Sequence, residues 1–596
     1  MAKKKPTDAE KVKKIVEFRR ALRDVELDIK NRDNSEEQLT QKKELIAKLR
    51  TIISNLENES FRNVKKGMYL GLGVNLLRQE DNEIKPVYLD WDKITNHVGV
   101  LGASGVGKTI LMLSNIKDTI DKGWSPIIVD PKGGNGQEIV NATFSYAKEK
   151  NILHNTYYLS PAMPENSILI NPNFGLTNIE IATSIRDMMM GENTEDFYGD
   201  ITYKAILSIL MCFQFLETVQ DENGAKARKE IDNENERHRD YMRLNSLSSN
   251  IDSANNSVEE GVTHNIKSDA ILLPNDEITS KRTLITYRDM AKEVSHSRLT
   301  ELKDLVENTF IPDDIKNLAK MEKLREQALN VIEDTLKQEK DFFGKVSTSL
   351  STLLTKLSAE EIGDIFCTIR TNPLISKLGL QSDEQFILIV QPFSIRFGDI
   401  ANTVVELILK QVTTLLGNVG STERIINRVA FFIDEAGAVL YPDITDLFNK
   451  ARSLGGTLFV YTQSYQDYVD ALGETKAKIV IDNINTTVRM RMNDIDSAER
   501  VVSELSTTKE FGSTTVASTG GNDSRVIIQK KEEDVLSPTD VTLMPVGRGI
   551  VKYDGEIMLV DFAHYGKIFS DIKFSTNKYF EEIDRQGEIS NQRRFL

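Results

Sequence analysis

The chain has 596 residues, 40% of them hydrophobic and 28% charged, the composition of an ordinary folded protein with room for three or four domains. A net charge of −15 excludes a protein that coats nucleic acid over its whole surface, while leaving open a ring that touches DNA only in a narrow pore. Two cysteines, Cys212 and Cys367, exclude a disulfide framework and a cysteine-built zinc site, and both lie in apolar contexts as buried thiols.

Residues 8–60 read as helix, with apolar positions three and four apart from Val12 to Leu56 and a turn at Asn31–Ser35. Residues 1–66 hold 18 Lys+Arg against 12 Asp+Glu, so this N-terminal helical segment is locally basic. Either it packs on its own domain or it serves assembly and docking. Strands follow at Tyr69–Leu76 and Val87–Leu89, then at Val98–Leu101, which runs into a glycine loop and a helix from about Thr109. Pro126–Val129 is the next strand, capped by Asp130. Apolar strands alternating with helices predict a parallel α/β sheet.

From about 178 to 380 the pattern is helical, and within it 218–282 is polar enough to read as a mobile insertion. Strands return at Phe386–Val390, Arg428–Ile433, Thr457–Tyr461 and Thr487–Met492. A polar loop is expected over 512–525, then two short strands, Gly549–Tyr553 and Ile557–Phe562. No unbroken apolar run reaches the ~18 residues of a membrane span. Ala205–Leu216 comes nearest and reads as a buried helix, and the basic N-terminus lacks the apolar core of a secretory signal. The expected location is cytoplasmic, with any membrane attachment made through a partner.

Gly102-Ala103-Ser104-Gly105-Val106-Gly107-Lys108-Thr109 fits G-x-x-x-x-G-K-[ST] in full, with a strand before it and a helix after it. Glycines let the backbone N–H groups curl around phosphates, and the helix N-terminus adds favourable partial charge. Lys108 would reach the β- and γ-phosphates of ATP, and the Thr109 hydroxyl would ligand Mg²⁺. Such a loop needs an acidic strand beside it, and Arg428–Glu435 supplies one. Asp434 would be the carboxylate on the Mg²⁺ side and Glu435 the general base for the attacking water. Asp434 follows Lys108 by 326 residues, far more than a compact core requires, so the helical stretch reads as a domain inserted into the ATPase. Gln463, just past the next strand, is the candidate γ-phosphate sensor. Arg452, before Gly455-Gly456, is the candidate arginine finger for a neighbouring subunit. Arg489 and Arg491 share one strand face and are weaker candidates. The six histidines show no metal-ligand spacing, so no metal beyond Mg²⁺ is expected.

Together, Gly102–Thr109, Asp130-Pro131-Lys132-Gly133, Asp434-Glu435, Ala451–Ser464, Asn485–Asp494 and Pro545–Asp561 resemble the TraG/TraD-type coupling proteins of conjugative type IV secretion. The similarity covers about 67–190 and 360–565. It implies a homo-hexameric RecA-like motor with an inserted all-α domain. It also implies recruitment of a relaxase-bound single strand of DNA (the relaxosome) to type IV secretion components. The sequence departs from that pattern in three places. A charged helical segment stands where transmembrane helices are usual, Gly134 stands where an acid is expected, and 218–282 is unfamiliar.

The resulting expectation is an α/β protein: a RecA-like P-loop ATPase core with an inserted all-α domain and an N-terminal helical segment. Its parts would be 1–66 (assembly or docking, with a membrane-protein partner as one use), 67–180 and 381–570 (the two parts of the core), 181–380 (the insertion) and 571–596 (a tail). Two other readings accompany the coupling motor. One is a cytosolic double-stranded DNA translocase similar to HerA and FtsK. The other is an ATP-dependent receptor that delivers protein substrates to a secretion machine.

Overall fold

The computed structural model describes residues 6–31, 36–77, 83–132, 138–189, 196–220, 285–311, 318–338, 340–368, 384–422, 427–505, 507–516, 525–534 and 536–564. The apolar runs form an eleven-stranded sheet from β1 (Met68–Asn75), β2 (Lys85–Leu89), β3 (Val98–Leu101), β4 (Ser125–Val129), β5 (Thr156–Leu159), β6 (Ile387–Val390), β7 (Val429–Ile433), β8 (Gly456–Thr462) and β9 (Thr486–Met490), with two strands near the C-terminal end. A separate pair, β10 (Thr507–Val516) and β11 (Arg525–Asp534), runs antiparallel in register over ten residues each. It takes in 512–516 and 525 of the polar loop expected at 512–525, and residues 517–524 lie outside the described residues. The last strands of the main sheet are β12 (Arg548–Tyr553) and β13 (Glu556–Phe562), joined at Asp554-Gly555.

The sheet order is β2-β1-β13-β12-β9-β3-β8-β7-β4-β6-β5. From β9 to β5 every pairing is parallel, and from β9 back to β2 every pairing is antiparallel. Parallel strands must be covered on both faces, which explains why every residue of β4 and β7 is buried rather than every second one. Ile128, Ala430, Phe432 and Tyr461 point into one layer with helices Lys108–Lys122 and Glu138–Glu149. Ile127, Phe431, Ile433 and Val460 point into the other, with helices Asp399–Thr422, Ile444–Lys450 and Gln466–Asp482. The Phe432 and Phe459 rings stack at 4.5 Å across β7 and β8.

Between β5 and β6, the described part of 181–380 is helical, with helices Asn178–Met189, Asp196–Gln220, Tyr287–Glu293, His296–Asn308, Leu318–Leu336, Lys340–Ser358 and Glu360–Phe366. Their apolar faces join the layer on the β7 side. The polar stretch 218–282 lies outside the described residues except for 218–220, as does the tail 571–596. Among the described residues, Tyr198–Val219 and Ile400–Gly417 are helices long and apolar enough to cross a membrane by length and composition. Both are largely buried in the protein, 67% and 56% of the respective window, which is the environment of core helices.

The N-terminal segment forms two helices, Asp8–Asn31 and Glu36–Phe61, packed on each other and against the β1–β13 pair. Arg19 pairs with the buried Glu57 and donates to the Asp561 carbonyl at 2.9 Å. Arg23 and Arg548 both reach the Asp561 carboxylate, at 2.7 Å each. Burial pushes the Glu57 carboxyl up to about 7, against the pull of Arg19. The segment thus packs on its own domain through buried ion pairs.

Candidate functional site

The P-loop lies at the C-terminal ends of the parallel strands, between β3 and helix Lys108–Lys122. Gly105 and Gly107 take φ of +74° and +104°, the left-handed region that a side chain disfavours. A Cβ on Gly102 would lie 2.8 Å from Met490 Cβ on β9, so that glycine is also required by packing. The loop is held by its neighbours. Ala103 N donates to the Arg491 carbonyl at 2.9 Å, and Gly547 N donates to the Val106 carbonyl at 3.0 Å. Ser104 and Gly105 form the exposed crest, and Val106 is buried in the helical layer behind it. The Lys108 ammonium donates to the Gly102 and Ala103 carbonyls at 2.5 and 3.0 Å. Burial pulls its pKa below the usual lysine value, and Glu435 opposes that shift.

Strand β8 separates β3 from β7, so the loop and the acidic tip face each other across one strand. Asp434 is 3% exposed, and its backbone N–H donates to Val129 at 2.9 Å. Burial pushes its carboxyl up to about 6, against Lys132, with Asp130 and Glu435 adding to the rise. A carboxylate placed this way gains from a cation. The hard oxygen donors Thr109 and Asp434 suit Mg²⁺ with its other ligands drawn from phosphate and water. Among the described residues no cluster of three or more His, Cys, Asp or Glu could hold a metal alone.

Glu435 has a left-handed backbone (φ 47°, ψ 57°), rare for a side chain of its size. Its Oε1 accepts from Gln463 Nε2, and the Lys132 ammonium sits against its Oε2. Gln463 therefore stands beside the candidate base, just past the end of the strand between the two nucleotide elements. Asp467 pins that strand tip, accepting from Thr462 Oγ1 at 2.6 Å, Gln463 N at 2.9 Å and Ser464 N at 3.0 Å. Partial burial would raise its pKa, but these donors outweigh burial and hold it below the usual carboxylate value.

The remaining candidates lie elsewhere. Arg452 is exposed in the short turn Ala451–Leu454, before the first residue of β8. Its own P-loop is at the other end of that strand, roughly 20 Å away at ~3.3 Å per residue. Arg452 is therefore out of reach of its own P-loop. Arg489 is buried and bonded to Glu504 at 3.0 Å, lining a cleft with Arg500 and Tyr465. His97 is structural: its Nδ1 accepts from Leu458 N at 3.1 Å, and Nε2 is 2.9 Å from the Phe448 carbonyl, which fixes the neutral tautomer.

Three site residues were not singled out for these positions from the sequence. Lys132 stands in the sequence reading only as part of the Asp130-Pro131-Lys132-Gly133 segment, yet it meets Glu435. Gln391 donates to Asp130 at 2.8 Å and accepts from Tyr158 at the same distance, tying β4, β5 and β6 together. Asp467 lies four residues past Gln463, and the Ser464-x-x-Asp467 spacing of a helix start was the available signal.

Comparisons with known proteins agree with this architecture. Residues 428–546 match the family model described as the TraM recognition site of TraD and TraG. Residues 74–260 match the model of the central domain of the helicase HerA. No curated protein sequence matches significantly. Among solved structures, the bacterial conjugative coupling protein TrwBdeltaN70 in its unbound monoclinic form is 14% identical, with a TM-score of 0.50 over 82% of this chain and 89% of that one. Its trigonal form with sulphate gives the same figures. Plasmid coupling protein TrwB in complex with ADP and Mg²⁺ is 13% identical, with a TM-score of 0.48 over 85% of this chain and 96% of that one. Residues 428–546 of this chain thus match a domain of TraD and TraG, within a fold similar to that of a conjugative coupling protein.

Proposed function

We propose that the chain is an ATP-hydrolysing, homo-hexameric motor that moves DNA, preferably a relaxase-bound single strand, toward a type IV secretion channel. The observation that carries the hydrolysis reading is the Glu435 carboxylate, held by Gln463 beside Asp434 and facing the P-loop. Mg²⁺ with ATP would supply charge neutralisation at the transferring phosphate. Gly102–Thr109 would cradle the phosphates, with Lys108 exchanging its two loop carbonyls for phosphate oxygens. Thr109 and Asp434 would orient the metal. Glu435 would take the proton of the attacking water, and Gln463 would report the γ-phosphate to the β8 tip. Arg452 would act on the neighbouring subunit's nucleotide, a role that needs the hexamer. The match at 428–546 supports a relaxosome partner for the C-terminal core. The proposed location is the cytoplasmic face, with residues 1–66 as a route to a membrane partner.

The HerA match over 74–260 favours a second reading, translocation of double-stranded DNA. Steady-state ATPase rates alone, with single-stranded DNA and with duplex DNA separate the two, with Lys108→Ala as the blank. Stimulation by single strands supports the coupling reading, and stimulation by duplex alone supports the second. Turnover indifferent to both removes DNA as the direct substrate.

A further inference from the structure

We infer that Lys132 is a latch on Glu435, holding the base in an ion pair until the segment that carries Lys132 shifts. The inference rests on the reading of Glu435 as the general base. Both carboxylate oxygens of Glu435 are engaged, Oε1 by Gln463 and Oε2 by the Lys132 ammonium. The same ammonium lies 3.9 Å from Asp434 Oδ2. The ion pair holds the carboxylate in place and occupies an oxygen that would otherwise be free to take the proton of the attacking water. The left-handed backbone at Glu435 fixes where its side chain starts, so its partners decide where its oxygens point.

The segment bearing Lys132 is anchored for transmission. Asp130 accepts from the Lys132 backbone N–H at 3.2 Å and from Gln391. The Pro131 carbonyl accepts from Ser394 N at 2.9 Å and Ser394 Oγ at 3.1 Å. Ser394 opens the helical turn Ser394–Phe397, which is bracketed by Phe393 at φ +52° and Gly398 at φ +54°. Arg396 in that turn pairs with Glu361 of the inserted helices at 3.0 Å, and Ile395 beside it is 92% exposed. A push on the inserted domain or on Ile395 thus has a bonded route to Lys132, through Ser394 and Pro131. The Lys132 side chain is itself half exposed. It is a positioning residue, acting on the reaction through Glu435.

The test compares full-length wild type with Lys132→Met, Lys132→Gln and Lys132→Arg in ATPase assays without DNA, over a range of ATP. A half-exposed ion pair is worth up to ~1 kcal/mol, so its loss should raise basal kcat about fivefold. KM should stay within about twofold, and Lys132→Arg should keep the wild-type rate. Unchanged thermal midpoints in Met and Gln variants assign the gain to the latch. An unchanged basal kcat in both overturns the inference. A fall in kcat at constant KM also overturns it, because it places Lys132 on the transferring phosphate. Glu435→Gln and Lys108→Ala, run in parallel, test the hydrolysis reading itself. Wild-type turnover in Glu435→Gln removes the base and the latch together, whereas loss of turnover there with no gain in Lys132→Met removes the latch alone.

Discussion

Arg62→Ala tests whether the N-terminal hairpin is a structural part of the nucleotide-binding core. The Arg62 guanidinium donates to Asp118 Oδ1 at 2.5 Å, Ser114 Oγ at 2.7 Å and Asn58 Oδ1 at 2.9 Å. Asp118 and Ser114 belong to the helix that starts at the P-loop, and the Asp118 side chain is 1% exposed. Removing one partner of a buried pair costs about 3–5 kcal/mol. The Tyr69 N–H still donates to Asp118 at 3.0 Å, which puts the expected loss near the low end, about 3 kcal/mol. Replacing both groups by apolar ones, in Arg62→Met with Asp118→Leu, leaves the Tyr69 N–H without its acceptor and should cost only about 1–2 kcal/mol.

The readout is equilibrium urea unfolding followed by tryptophan fluorescence. The only two tryptophans, Trp91 and Trp124, pack 5.1 Å apart, and Trp91 Nε1 bonds Val64 two residues past Arg62. pH supplies a second handle. Burial raises the Asp118 pKa and Arg62 opposes it, so the variant raises it further. An acid whose folded pKa exceeds its unfolded one carries no penalty below the unfolded value, and the penalty grows as pH rises through the window up to the folded value. The deficit of Arg62→Ala should therefore be larger at pH 8 than at pH 4. A loss below 1 kcal/mol at pH 8, or a deficit that shrinks with rising pH, would refute the reasoning.

Glu435→Gln should lower turnover about 10²–10⁴-fold while a fluorescent ATP analogue still binds, and a wild-type rate would take Glu435 out of the base role. Asp467→Ala frees the tip of β8 and should lower kcat about 10²-fold with KM little changed, because Gln463 loses its placement. Equal kcat in that variant would show that the tip is held by other contacts. Arg452→Ala should lower kcat about 10³-fold, and mixing it with Lys108→Ala should recover activity above either alone, since each supplies what the other lacks. No recovery in mixed hexamers would remove the finger.

Most of the parallel core was legible because its strands are short apolar runs ending at a glycine, an acid or a polar cluster. Val98–Leu101 and Pro126–Val129 are found within one residue of their expected bounds. Thr156–Leu159 was missed because a threonine and two tyrosines make a weak apolar run and no glycine loop or acid directly follows it, and its identity comes from pairing with β6. The β10–β11 pair was hidden by its serines, threonines and glycines, which read as loop, whereas its pairing in space is set by register. For the site, the glycine loop and the acidic pair were visible as local patterns. The contact between Lys132 and Glu435 was not, because it joins the ends of β4 and β7 across 303 residues of sequence.

The order of the sheet has a consequence for how the chain comes off the ribosome. Strand β3 has β8 and β9 as its neighbours, and β1 is flanked on one side by β13, so the first-made strands wait for the last-made ones. At ~5–20 residues per second, about 20–70 s separate the emergence of Leu101 and Thr462. Throughout that interval β1–β2 and β3 expose unpaired edges and apolar faces, a state that favours aggregation and calls for a chaperone. The insertion between β5 and β6 is made within this interval and, being helical, forms mostly local contacts that fold early. A domain placed there lengthens the wait, yet gives the growing chain a compact helical body against which Ile127, Phe431 and the rest of that face of the sheet later close.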